Sequence, residues 1–243
     1  MKKVIFCYLV LEICGFFCDF IFKNTINIQL HVWLSYCIEF SVALLFCHFI
    51  LKSKTIDSFK IPKLNALTTV IVLSFCITLL AVSIVKLSMI ESVKTIQHLS
   101  KLQYFILAVI IAPVVEELFF RYFLLGKLLK IESIYQKRNN FNVVFIAFLF
   151  GLAHWTSGLT AIIYTFTCGV CYGFIYLYSQ NIFLCIVAHS INNLISFVGN
   201  LLPPKADNLN YESSNYLLLP ILIFAGMSFI IYTMIPRLKV YQS

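Results

Sequence analysis

The amino-acid sequence predicts an all-α fold, a polytopic membrane helix bundle with about eight transmembrane helices. Three observations predict it. Of 243 residues, 61% are hydrophobic and 12% charged, and the mean hydropathy is +0.93, far more apolar than a soluble domain. Apolar stretches near the ~20 residues that cross a bilayer core recur along the whole chain. Lys and Arg concentrate in alternate loops, as they do in multi-pass proteins.

In order, the stretches cover residues 4–22, 30–51, 64–87, 102–125, 141–155, 159–178, 182–202 and 216–235. The first follows "MKK" like the apolar core of a secretory signal. It carries Glu12 and Asp19, however, and lacks a small-x-small cleavage site, so it reads as a retained helix. The second contains His31, Glu39 and His48, scattered polar groups expected to sit at interfaces or in packing roles. A basic connector, "KSKTIDSFKIPK" at 52–63, leads to the third. Residues 88–101 read as a short interfacial amphipathic helix ahead of the fourth. The fifth has only 15 residues, which calls for local thinning of the bilayer or an end buried among neighbouring helices. Pro203 and Pro204 stop the seventh helix. No repeat, low-complexity tract or soluble-sized segment interrupts the pattern, so residues 1–243 read as a single integral-membrane domain.

With eight spans both ends of the chain share one side. That side carries Lys2, Lys3, Lys52, Lys54, Lys60, Lys63, Lys127, Lys130, Lys137, Arg138, Arg237 and Lys239, against Lys23, Lys94, Lys101 and Lys205 on the other. The bias makes both termini cytoplasmic and accounts for the net charge of +8. No basic block interleaved with aromatics points to nucleic acid. The nine cysteines, Cys7, Cys14, Cys18, Cys37, Cys47, Cys76, Cys168, Cys171 and Cys185, all fall within spans. They read as small buried hydrophobes rather than disulfides. The C-x-x-C at Cys168 and Cys171 sits in "YTFTCGVCYGFIY", whose small residues suit close helix approach better than redox or metal chemistry.

Ionisable groups inside a membrane are costly unless paired, neutralised or hydrated, and they usually mark function. The fourth span holds three of them in "APVVEELFFRYFLL". Glu117 and Arg121 are four apart and share a helical face, which suits an ion pair, whereas Glu116 points about 100° away. Glu116 is thereby left free for general-base work in a partly dehydrated site. "FLFGLAHW" adds His154, four residues after Phe150, and "VAHSINN" places His189 and Asn193 on one face. Counted at about 1.5 Å per residue, Glu116, His154 and His189 lie ~10 to 20 Å deep and can meet in the cytoplasmic half of the membrane. Glutamates, histidines and an asparagine are the groups that water activation and oxyanion stabilisation require.

E-E-x-x-x-R, F-x-x-x-H and H-x-x-x-N, in this order over about residues 112–197, resemble the CPBP family. These are the CAAX prenyl proteases and bacteriocin-processing or immunity proteins, also called the Abi family. The resemblance implies an eight-helix intramembrane endopeptidase of a bacterial cell membrane, with its catalytic core at about 102–202. In it Glu116 activates water with help from His154, and His189 and Asn193 hold the oxyanion. Glu117 completes the catalytic set, and Arg121 and Phe150 support it. The implied substrates are a membrane-associated or prenylated protein or a bacteriocin-like peptide. A Zn²⁺ held by Glu116, His154 and His189 fits the donor chemistry. H-E-x-x-H is lacking, so a glutamate-dependent mechanism requiring no cofactor is preferred. Two other readings stay open: a non-catalytic bacteriocin immunity or membrane scaffold protein, and an ion or proton transporter. Against the latter stands the lack of paired inverted repeats.

Overall fold

The computed structural model describes residues 1–22, 28–51, 61–87, 100–129, 136–201 and 218–242. They form the helices α1 (Lys2–Phe22), α2 (Ile28–Leu51), α3 (Leu64–Leu87), α4 (Lys101–Leu128), α5 (Gln136–Leu152), α6 (Leu159–Ser179), α7 (Ile182–Leu201) and α8 (Leu218–Met234). No strand occurs among the described residues. Seven of these helices are long and apolar enough to cross a membrane, and α5 is a shorter apolar one. The polytopic helical bundle expected from the sequence is therefore the observed architecture. Most of the basic connector at 52–63, most of the interfacial helix expected at 88–101, and the Pro203–Pro204 stop lie outside the described residues.

Helix ends follow local chemistry. Ser100 caps α4, its side chain accepting from the Gln103 backbone while Gln103 reaches back to the Ser100 N–H, a reciprocal capping box. Between α6 and α7 the chain turns within two residues. Gln180 adopts a left-handed conformation (φ 48°) and its N–H donates to the Tyr176 carbonyl, while Asn181 Oδ1 accepts from the N–H groups of Phe183 and Leu184. Gly158, at φ 89°, opens α6 in a conformation that L residues rarely adopt.

Expectation and structure differ at α5. The helix spans Gln136–Leu152, not 141–155. It begins earlier because helical hydrogen bonding runs on through the polar "QKRNN", where hydropathy alone sees no span. It ends earlier because His154, at φ −102° and ψ 17°, has left the helix and Trp155–Ser157 form a 3₁₀ turn. Cys37 is a second correction: it is exposed, and Cys14 is only half-buried, while the other seven cysteines are buried and all nine are free thiols.

α4 lies against α2, α5, α6 and α7, and its backbone is irregular. Residues Ile106–Ile111 and Leu118–Leu125 are π-helical, flanking the regular Ala112–Glu117 turn. Pro113 accounts for the first irregularity. Its ring would clash with the carbonyl four residues back, and it has no N–H to donate. The Ala112 N–H instead reaches the Leu107 carbonyl, five residues back.

α5 and α6 pack closely through glycines. A Cβ on Gly173 would stand 2.7 Å from Val143 Cγ1, and one on Gly169 would stand 2.9 Å from Phe150 Cδ1. Gly169 and Gly173 form the small-xxx-small stripe that lets membrane helices touch. This is the packing role anticipated for the C-x-x-C segment. α3 packs on α6, α7 and α8, whereas α1 packs chiefly on α2. α1 exposes large apolar side chains such as Phe16 and Phe20, as a lipid-facing helix does.

Candidate active site

Glu117 and Arg121 are fully buried. Arg121 Nη1 donates to Glu117 Oε1 at 3.0 Å and Nη2 to the Gly169 carbonyl at 3.1 Å. The guanidinium lies over Phe150, 4.5 Å from the ring centroid, and 5.4 Å from that of Tyr172. A planar cation between aromatic faces is stabilised where an ammonium would not be. The expected i,i+4 pair is thus present even though Arg121 lies in a π-helical segment.

Glu117 Oε1 also accepts from His189 Nδ1 at 2.9 Å. A carboxylate oxygen can only accept, so this bond places a proton on Nδ1 and directs Nε2 the other way. Nε2 stands 3.8 Å from Glu116 Oε2. That is too long for a direct hydrogen bond and within reach of a bridging water. The His189 ring is fixed by stacking on Tyr172 (5.1 Å, 24°) and by the edge of Phe150 (5.8 Å, 84°).

Glu116 is not free, as its divergence from Glu117 suggested. Tyr36 of α2 donates its hydroxyl to Glu116 Oε1 at 3.2 Å. Oε2 is buried and makes no hydrogen bond among the described residues. The two adjacent acids therefore do face different ways, but both have partners.

His154 follows Phe150 by four residues, just past the end of α5. Its Nδ1 donates to the Phe150 carbonyl at 2.9 Å, which leaves Nε2 unprotonated in the neutral ring. Its ring touches Phe150 at 5.1 Å, so His154 and His189 share that aromatic neighbour. Among the described residues His154 has no hydrogen bond to Glu116, Glu117 or His189. Beside it a cavity of about 440 Å³ is lined by Ala153, Trp155 and Thr156 together with Glu12, Asp19 and Glu39 from α1 and α2. The scattered acids of the first two spans thus gather at one place, and His31 pairs with Asp19 at 3.1 Å.

Asn193 donates from Nδ2 to the Ala108 carbonyl at 2.8 Å. Ala108 needs that donor: the Ala112 N–H is spent on Leu107, and Pro113 has none. One of the two amide N–H groups of Asn193 is occupied in this way, leaving the other. Its neighbour Asn192 was not singled out by the sequence, yet it is buried and ties three helices. Its Oδ1 accepts from Thr78 at 2.7 Å and from Tyr164 at 2.9 Å, and its Nδ2 lies 3.6 Å from Cys168 Sγ. Tyr36 was also missed. A phenol in an apolar span carries no motif, and only the fold shows that it reaches Glu116.

For a metal the fit is incomplete. Among the described residues no three His, Cys, Asp or Glu side chains converge as a ligand set, and a zinc site needs three protein donors.

Fold and site together define a multi-pass membrane protein that buries a hydrogen-bonded carboxylate–imidazole–guanidinium centre. Residues 98–195 match the Rce1-like family, described as type II CAAX prenyl endopeptidase Rce1-like. That stretch contains all three motifs and is similar to this family of CAAX-type intramembrane proteases. No curated protein and no solved structure matches the chain.

Proposed function

We propose that the protein hydrolyses a peptide bond near the C-terminus of a prenylated or otherwise membrane-associated polypeptide, using Glu116 as the base. The observation that carries this reading is the pairing of a buried, unpartnered Glu116 Oε2 with His189 Nε2 at 3.8 Å. A water between them donates one proton to Glu116 as its oxygen attacks the scissile carbonyl carbon. His189, held by Glu117 at Nδ1, donates from Nε2 to the developing oxyanion in its doubly protonated form. The second Asn193 N–H joins it. Collapse of the tetrahedral intermediate breaks the C–N bond, and the proton on Glu116 passes to the leaving amine. His154, with Nε2 directed away from its Phe150 bond, orients the water. The cavity beside His154 provides the approach for the substrate chain.

No step in this scheme passes through a metal. It predicts that chelation leaves turnover unchanged and that active protein lacks stoichiometric zinc by elemental analysis. Activity lost on chelation and restored by zinc would overturn that part. The reading itself is tested with purified full-length protein and an internally quenched farnesylated CAAX peptide. Wild type cleaves it and Glu116→Gln, equally folded, does not.

A further inference from the structure

We infer that Tyr36 is a positioning residue for Glu116, supplied by a helix outside the family-matched segment. The inference rests on the reading of Glu116 as the base and names what aims it. A glutamate's terminal torsion is broad and nearly two-fold, so an unanchored carboxylate presents either oxygen to its surroundings. Here the Tyr36 hydroxyl holds Oε1 at 3.2 Å, and Oε2 is left as the oxygen that faces His189 Nε2.

The phenol is itself fixed. Its ring lies against Phe40 (4.6 Å), Phe40 meets Phe119 edge-on (6.4 Å), Phe119 meets Phe120 (4.9 Å), and Phe120 meets Phe150 (5.1 Å). This run of rings ties α2 to the residue that touches both His154 and His189. It sets the distance between the hydroxyl and α4 by packing rather than by a flexible stem. Preorganisation of this kind is how a supporting group contributes to a reaction it does not touch. The N-terminal helices, which carry none of the three motifs, thereby complete the site.

The test measures kcat and KM for the farnesylated CAAX peptide with wild type, Tyr36→Phe, Tyr36→Leu and Glu116→Gln, all full length in the same detergent. Tyr36→Phe keeps the ring and loses only the donor. Its kcat is expected to fall about 10- to 100-fold, as on removing a hydrogen bond to a charged group, with KM within about two-fold and thermal stability unchanged. Tyr36→Leu is expected to lose little more kcat than Tyr36→Phe, because the hydroxyl carries the effect. Wild-type kcat in Tyr36→Phe, with loss only in Tyr36→Leu, means that the ring merely packs and overturns the inference. A readout independent of turnover is the infrared carboxyl band assigned by its loss in Glu116→Gln. The band should move in Tyr36→Phe, and an unmoved band overturns the inference as well. Full turnover in Glu116→Gln instead removes the reading on which the inference stands. An inactive Glu116→Gln beside a wild-type Tyr36→Phe removes only the role of Tyr36.

Discussion

The two sides of α4 differ in what holds their carboxylates. On the Glu117 side one carboxylate oxygen accepts from both a guanidinium and an imidazole, a backbone carbonyl accepts from the guanidinium's other end, and aromatic rings cover the cation, while Glu117 Oε2 and Arg121 Nε make no hydrogen bond among the described residues. On the Glu116 side one oxygen is held by the neutral Tyr36 hydroxyl and the other makes no hydrogen bond among the described residues and faces His189 Nε2 at 3.8 Å, and His154 and Asn193 each keep a nitrogen beyond their backbone bond. Buried polar groups left partly open cost stability. On the proposed reading the charge-paired acid holds the site together and the acid without a bonded cation takes the proton. Two consecutive glutamates therefore meet different partners, because a helical step of one residue turns them onto different surroundings.

Substitutions can break or sharpen this contrast, and the largest effect is expected on the charge-paired side. Arg121→Leu removes the guanidinium from the buried Glu117 and leaves His189 as its donor, a change that costs about 3 to 5 kcal/mol. The variant should accumulate poorly and unfold at markedly lower temperature in a detergent thermal-shift assay. Next is Asn193→Ala, on the Glu116 side, where loss of the proposed oxyanion donor is expected to lower kcat by about 10² to 10³. Because the same amide also satisfies Ala108, a small drop in stability should accompany it, in contrast to the larger loss from Arg121→Leu. Smaller again is Gly173→Ala, whose new Cβ meets Val143 at 2.7 Å. Overpacking of this kind costs about 1 to 3 kcal/mol, and thermal unfolding checks it. Gly226→Ala in α8, whose new Cβ would meet nothing among the described residues within 4 Å, should change stability by no more than about 0.5 kcal/mol.

Much of this arrangement was legible in the sequence. Hydropathy located the helices because the bilayer demands long apolar runs, and the predicted 64–87 coincides with α3. The Glu117–Arg121 pair followed from spacing alone. Other features were not legible, for identifiable reasons. The start of α5 lies in polar residues, where hydropathy has no signal. Its end depends on His154 turning back to the Phe150 carbonyl, which a four-residue spacing cannot distinguish from a continuing helix. The π turns of α4 and the orphaned Ala108 carbonyl that Asn193 satisfies emerge only in three dimensions. Tyr36 and Asn192 act through contacts 80 and 114 residues away in the chain. Single side chains at such separations leave no local pattern.

The division between the two acids is tested most directly by comparing Glu116→Gln with Glu117→Gln in turnover of the farnesylated peptide and in thermal unfolding. Glu116→Gln should unfold like wild type and show no cleavage, while Glu117→Gln should unfold at clearly lower temperature. Cleavage at the wild-type rate by Glu116→Gln, or an unfolding temperature depressed in that variant alone, would contradict the account.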